Sequence, residues 1–155
     1  MRAVLQRVNR ASVTVDGEVV GQIERGIMAL VGMGPNDDEA TMDYMLDKMV
    51  NLRIFEDDQD KMNLSLTDID GELLLVPNFT LYGDARKGRR PGYSTGAAPQ
   101  QARESFGRLC QKAAQLPLKK VNYGQFQAYM QVELVNDGPV SYTHLDVYKR
   151  QVWRI

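Results

Sequence analysis

The sequence holds one cysteine, Cys110, and one histidine, His144. A single cysteine excludes an intrachain disulfide and favours a reducing compartment. With so few soft ligands, a zinc site would have to be completed by carboxylates, so no structural or catalytic zinc is expected. Charge of one sign is also scarce. Nineteen Lys and Arg face twenty Asp and Glu, for a net charge of −1, whereas proteins that hold nucleic acid by bulk electrostatics carry a strong basic excess. Any contact with RNA would therefore be local, brief or aimed at one end of the molecule. Long apolar runs are missing as well. The opening Met1-Arg-Ala-Val-Leu-Gln-Arg has no apolar core of signal-peptide length, and nothing approaches the ~18 apolar residues of a membrane span. A cytoplasmic protein with no membrane partner is the expectation.

What remains is ordinary for a globular chain: 155 residues, 43% hydrophobic and 25% charged, enough for one domain with a real core. Asp16-Gly17 is a two-residue hairpin signal between Ala11–Val15 and Glu18–Ile23. Ile27–Val31 reads as a strand covered on both faces, and Gly71–Val76 as another. Asn36 or Asp37 can cap a helix whose Met42, Met45, Leu46, Met49 and Val50 recur at helical spacing, a stripe read as core. Pro99 opens a second helix to about Gln115, with Ala102, Phe106, Leu109, Cys110 and Ala113 on its apolar face. Cys110 is read there as a buried apolar residue. Tyr129 to Val135 reads as a strand, and Asn136-Asp137-Gly138-Pro139 as a turn. About eight strands and two helices without repeats or a βαβ alternation predict an α+β single domain, mostly antiparallel and barrel-like.

The search for chemistry is largely negative. Gly-x-Ser-x-Gly and a glycine-rich phosphate loop are absent, His144 has no nucleophile to serve, and the Asp-rich turn at 56–61 lacks the spacing of a calcium loop. Two segments stand out. Asn78-Phe79-Thr80 follows a buried strand directly, a rigid place from which backbone N–H groups and a hydroxyl can be aimed. Gly138-Pro139 is a candidate cis bond. The run Arg86, Lys87, Arg89, Arg90 is the one dense basic stretch in the body of the chain.

Over about residues 1–140 the sequence resembles the D-aminoacyl-tRNA deacylase family. The resemblance is carried by the opening strand, by Ala11-Ser-Val-Thr-Val-Asp-Gly, by Lys48-Met-Val-Asn-Leu-Arg-Ile-Phe-Glu-Asp and by Lys61-Met-Asn-Leu-Ser. Phe79-Thr-Leu-Tyr-Gly-Asp, Lys87-Gly-Arg-Arg-Pro-Gly and Val132-Glu-Leu-Val-Asn-Asp-Gly-Pro-Val complete it. It implies a homodimer with active sites at the interface. The implied reaction is cofactor-free, metal-free hydrolysis of the ester joining a D-amino acid, or mischarged glycine, to the 3′-terminal adenosine of tRNA. By resemblance, Gly138 and Pro139 form a Gly-cis-Pro motif that enters the partner's site and rejects L side chains, and Arg7 steadies it. Asn78, Phe79 and Thr80 fall at the catalytic segment, Thr80 as a positioning or water-handling group. Pro77, Phe126 and Met130 fall at the pocket, and Arg86, Lys87, Arg89 and Arg90 at tRNA phosphates.

The sequence departs from that pattern twice. Pro77-Asn78 stands where the family reads Ser-Gln, losing a hydroxyl and an N–H. Residues 141–155 are an atypical C-terminal segment in place of the closing apolar strand, and they resemble translated adapter sequence. The alternative reading is a weakened or inactive relative that only binds the aminoacyl-tRNA 3′ end.

Overall fold

The computed structural model describes residues 1–146 and 151–154. For residues 139–146 and 151–154 it describes the course of the backbone alone. β1 (Arg2–Val15) turns into β2 (Glu18–Ile23), and β3 (Gly26–Gly32) follows. The first turn has positive φ at both Asp16 and Gly17, the geometry whose twist matches that of a hairpin. A side chain at Gly17 would meet nothing, so glycine is required there by its backbone and not by space. Then come α1 (Glu39–Asn51), the short pair β4 (Phe55–Glu56) and β5 (Met62–Leu64), and β6 (Glu72–Pro77). A single 3-10 turn (Phe79–Tyr82), α2 (Pro99–Ala113), β7 (Lys120–Tyr123), β8 (Gln131–Asp146) and β9 (Gln151–Arg154) complete the order.

The main sheet runs β7-β6-β3-β1-β8-β9. β1 is its spine. Arg2–Val8 pairs with β3, the Ala11–Val15 half pairs with β2, and β8 accompanies both halves on the other side. Asn122 on β7 donates its side-chain amide to the Gln22 carbonyl of β2 at 2.7 Å, drawing the two ends of the sheet together into the expected barrel-like α+β domain. Two pairings are parallel, β3 with β6 and β6 with β7. α1 and α2 make these crossovers, and the interposed β4–β5 pair and the 83–98 loop hide that alternation in the sequence.

β6 accounts for the apolar run read from the sequence. Leu73 and Leu75 enter the core beneath the helices, and Leu74 and Val76 enter a second core with Val8, Val13, Ile23 and Met28. The methionine stripe of α1 lies in the first core with Phe106 and Leu109 of α2. Cys110 sits beside them, its thiol pushed up to about 12 by burial, so it is inert. The α1 cap is neither Asn36 nor Asp37. Asp38 accepts from the Thr41 N–H at 2.8 Å, because Asp37 is buried against the Met1 ammonium and the Gly34 N–H. Among the described residues, no helix is long and apolar enough to cross a membrane, and no cluster of three metal-ligating side chains occurs.

Candidate functional site

Pro77 ends β6 level with Val31 of β3. The ladder to β3 is continued by the Asn78 N–H, which donates to the Val31 carbonyl at 2.7 Å. On its other side β6 has run past the paired part of β7, which ends at Tyr123. The N–H that proline lacks is therefore not taken from the sheet, the placement proline tolerates in strands.

The chain does not continue extended through Asn78-Phe79-Thr80. It folds into the 3-10 turn, with Asn78 as its cap. The Asn78 side-chain oxygen accepts from the Thr80 N–H at 3.0 Å and from the Thr80 hydroxyl at 2.6 Å. Thr80 thus gives its proton to a neutral amide oxygen, not to a base, so its hydroxyl is oriented rather than activated. Its lone pairs remain able to accept a hydrogen bond. No acceptor for the Phe79 N–H occurs among the described residues.

This turn forms one wall of a cleft of about 470 Å³. Leu30 and Val76 supply apolar lining, and the segment from Phe126 to Met130 supplies the opposite wall. Six sequence-predicted residues meet here: Pro77, Asn78, Phe79, Thr80, Phe126 and Met130. Gly124 lets the walls approach. A Cβ there would lie 2.9 Å from the Met130 sulfur and 3.2 Å from the Pro77 ring, so any larger residue would have to push the two walls' side chains aside. The strand expected from Tyr129 begins only at Gln131. The residues before it form an irregular wall in which Gln127 has φ of 59°. Arg103 of α2 holds this wall, donating to the Gln127 side-chain oxygen and lying 5.3 Å from the centre of the Phe126 ring.

Arg7 lies elsewhere. It is 4% exposed and donates to the Ile54 carbonyl at 2.8 Å and to the Asp137 carbonyl at 2.9 Å. The Asp137 carboxylate is 3.2 Å away and that of Glu56 3.4 Å. The predicted turn at Asn136–Pro139 is a bulge within β8. Val8 pairs with Asn136 and Gln6 with Ser141, so residues 137–140 oppose Arg7 alone. Bulges of this kind re-aim side chains next to active sites. Arg7 clamps the residue before Gly138, which is exposed. Among the residues described beyond their backbone course no cis peptide bond occurs; the Gly138–Pro139 cis assignment rests on Pro139, which is not one of them, and the side chains of Ser141, His144 and the rest of the tail are not among them either.

The bulge and the cleft are separate in one chain. Gly138 is level with Arg7, and Pro77 is level with Val31, the partner of Ala3. Four residues along β1 and three strand spacings, from β8 across β1 and β3 to β6, amount to roughly 13 Å and 14 Å at ordinary strand dimensions.

The basic run lies on the loop between the 3-10 turn and α2. Asp84 and Gly92 exchange backbone hydrogen bonds at 2.8 and 2.9 Å, closing a loop over residues 85–91. Arg86 turns back onto Asp84, and its guanidinium holds that carboxyl down at about 2. Lys87, Arg89 and Arg90 have no acidic partner among the described residues, and all three are exposed. Sequence reasoning missed Tyr93, the aromatic residue that follows this loop. Its ring meets that of Phe79 edge to face, with centroids 5.0 Å apart.

Residues 4–145 match the family model described as D-Tyr-tRNA(Tyr) deacylase. The chain is 55% identical over 141 residues to a D-aminoacyl-tRNA deacylase of Clostridioides difficile (strain 630), covering 91% of this chain and 94% of that one. It is 50% identical to one from Thermosipho melanesiensis over the same shares of both chains. A solved structure of the c-Myc DNA Unwinding Element Binding Protein superimposes with a TM-score of 0.85 at 38% identity, covering 91% of this chain and 95% of the other. A probable eukaryotic D-amino acid tRNA deacylase shares the fold, with a TM-score of 0.73 at 17% identity over 90% and 96% of the two chains.

Proposed function

The chain belongs to the D-Tyr-tRNA(Tyr) deacylase family, and from that premise we propose that it hydrolyses the ester between a D-amino acid, or mischarged glycine, and the 3′-terminal adenosine of tRNA. The observation that carries this reading is the convergence of Pro77, Asn78, Phe79, Thr80, Phe126 and Met130 on one cleft. The site offers oriented dipoles, not a nucleophile. Attack of water on the ester carbonyl places negative charge on its oxygen, and the Phe79 N–H, without an acceptor among the described residues, is suited to receive it. The Thr80 hydroxyl, its proton fixed on Asn78, presents lone pairs to the attacking water or the substrate's amino group. No metal or cofactor takes part in this scheme.

The active unit in this reading is a homodimer. Gly138 is too far from the cleft to serve it within one chain; it is exposed, and the residue before it is held by Arg7. A second copy supplies the motif, whose backbone leaves no room for an L side chain. Residues 1–140 form the deacylase unit, and residues 141–155 replace its closing strand. In this reading Arg86, Lys87, Arg89 and Arg90 meet the phosphates next to the ester, with Arg86, paired to Asp84, the least available of the four.

The test is ester loss from D-tyrosyl-tRNA and L-tyrosyl-tRNA, with and without chelator. Loss of the D form alone, insensitive to chelator, is expected. Loss of neither form, with the D-aminoacyl end still bound, would favour the binding-only alternative. The Pro77→Ser, Asn78→Gln double variant is expected to hydrolyse faster, by up to about tenfold, roughly one added hydrogen bond in the transition state. An unchanged rate would show that Asn78, already satisfied by Thr80, gives up nothing to glutamine.

A further inference from the structure

Phe79 is 67% exposed and Tyr93 is 41% exposed, although both are large apolar rings. They contact each other edge to face at 70°. That arrangement leaves one ring with both faces uncovered by the other. The pair is held from below. Gly83 packs 3.2 Å from the Tyr93 ring, measured from where its Cβ would be, and the Tyr93 carbonyl accepts from the Gly96 N–H at 3.2 Å. The closed 85–91 loop stands directly beside it, with Lys87, Arg89 and Arg90 free of acidic partners among the described residues.

We propose that Tyr93, with the outer face of the Phe79 ring and the Lys87–Arg90 loop, forms an outer subsite for single-stranded RNA that takes the nucleotide preceding the terminal one. An aromatic platform beside a short run of cations is what binds single strands without reading sequence: bases stack on the ring while phosphates follow the charge. The chemistry selects RNA over an acidic peptide, because the ring whose faces the edge-to-face contact leaves open gives a planar stacking surface that carboxylates do not use. The net charge of −1 confines this attraction to the loop, so the footprint is a few nucleotides. The subsite deepens the deacylase reading, on which its place beside the cleft rests.

The test is fluorescence anisotropy with a labelled five-nucleotide RNA ending in CCA, and with the same RNA lacking its last two nucleotides. Wild-type protein, Tyr93→Ala, Tyr93→Phe and a Lys87→Ala, Arg89→Ala double variant are compared. Tyr93→Ala is expected to weaken binding of the CCA-ended RNA by about fivefold to a hundredfold, the range for loss of one base stack, while Tyr93→Phe binds like wild type. The double variant is expected to lower the slope of log affinity against log salt by roughly 1.4, at about 0.7 per phosphate contact on a single strand. Equal binding by wild type and Tyr93→Ala, an unchanged salt slope, or indifference to the missing nucleotides would each overturn the subsite. Ester hydrolysis by the wild type is scored separately. Hydrolysis with Tyr93-independent RNA binding sinks the subsite alone, and Tyr93-dependent binding without hydrolysis sinks the deacylase reading alone.

Discussion

Arg7→Met is expected to cost roughly 2–5 kcal/mol of stability and to lower D-aminoacyl-tRNA hydrolysis by at least about tenfold at a temperature where the variant is still folded. The side chain is buried, and its donors satisfy two carbonyls, those of Ile54 and Asp137. Methionine fills most of the space but donates nothing, and each buried carbonyl left unsatisfied costs about 1–3 kcal/mol. The Asp137 and Glu56 carboxylates are partly solvated, so their loss of a partner adds little. The effect on activity has a different origin. Arg7 alone fills the gap opposite residues 137–140, and without it the Gly138 backbone is no longer fixed. Lysine should not rescue fully, since one ammonium cannot serve carbonyls on two sides as a guanidinium does. Urea unfolding gives the stability change. Parallel rates on D- and L-tyrosyl-tRNA give the functional one, with a fall in the preference for D as its signature. A variant that is destabilised yet keeps full rate and preference would assign Arg7 to packing alone.

Asp37→Asn is expected to cost about 3–5 kcal/mol, the usual consequence of leaving a buried charge without its partner. Both the Met1 ammonium and the Asp37 side chain are completely buried, and they pair directly. The second Asp37 oxygen accepts from the Gly34 N–H at 2.6 Å. Asparagine would set an amide donor against one of these two donors. The position of this pair makes the prediction more than a stability statement. A Cβ on Gly34 would lie 2.5 Å from the Tyr82 hydroxyl, and Tyr82 ends the turn that carries Phe79 and Thr80. The midpoint of urea denaturation is the measurement, and a change under about 1 kcal/mol would show that water reaches the ammonium in solution.

Local signals in the sequence were read well where one local rule decides the outcome. Asp16-Gly17 had to turn, the Leu-Leu-Leu-Val of β6 had to be covered on both faces, and Pro99 opened α2 at the observed residue. Misreadings share a different cause: the deciding partner is far away in sequence. Asp37 looked like a cap because its true partner is the amino terminus. Asn136–Pro139 looked like the end of a strand because the rest of β8 is paired with a strand 130 residues earlier. Tyr129 looked like strand because nothing local marks Gln127 for positive φ; the wall is held by Arg103 from another element. The cleft's residues were legible from family resemblance, not from spacing. Tyr93 carried no signal beyond being aromatic in a polar loop.

The way β8 closes on β1 has a consequence for biogenesis. β1 leaves the ribosome long before β8, with which it is paired along its length, from Thr14 against Gln131 to Arg2 against Asp146. Contacts so distant in sequence are slow to form. At about 5–20 residues per second, β1 waits roughly 6–25 seconds with one edge unpaired while β2 and β3 already occupy the other. Synthesis therefore passes through a stage in which an apolar β-edge is open to neighbours on the same message, and strand exchange between nascent copies becomes the main hazard. Slowing translation should lower the yield of folded protein, and co-expressed chaperones that shield strand edges should restore it.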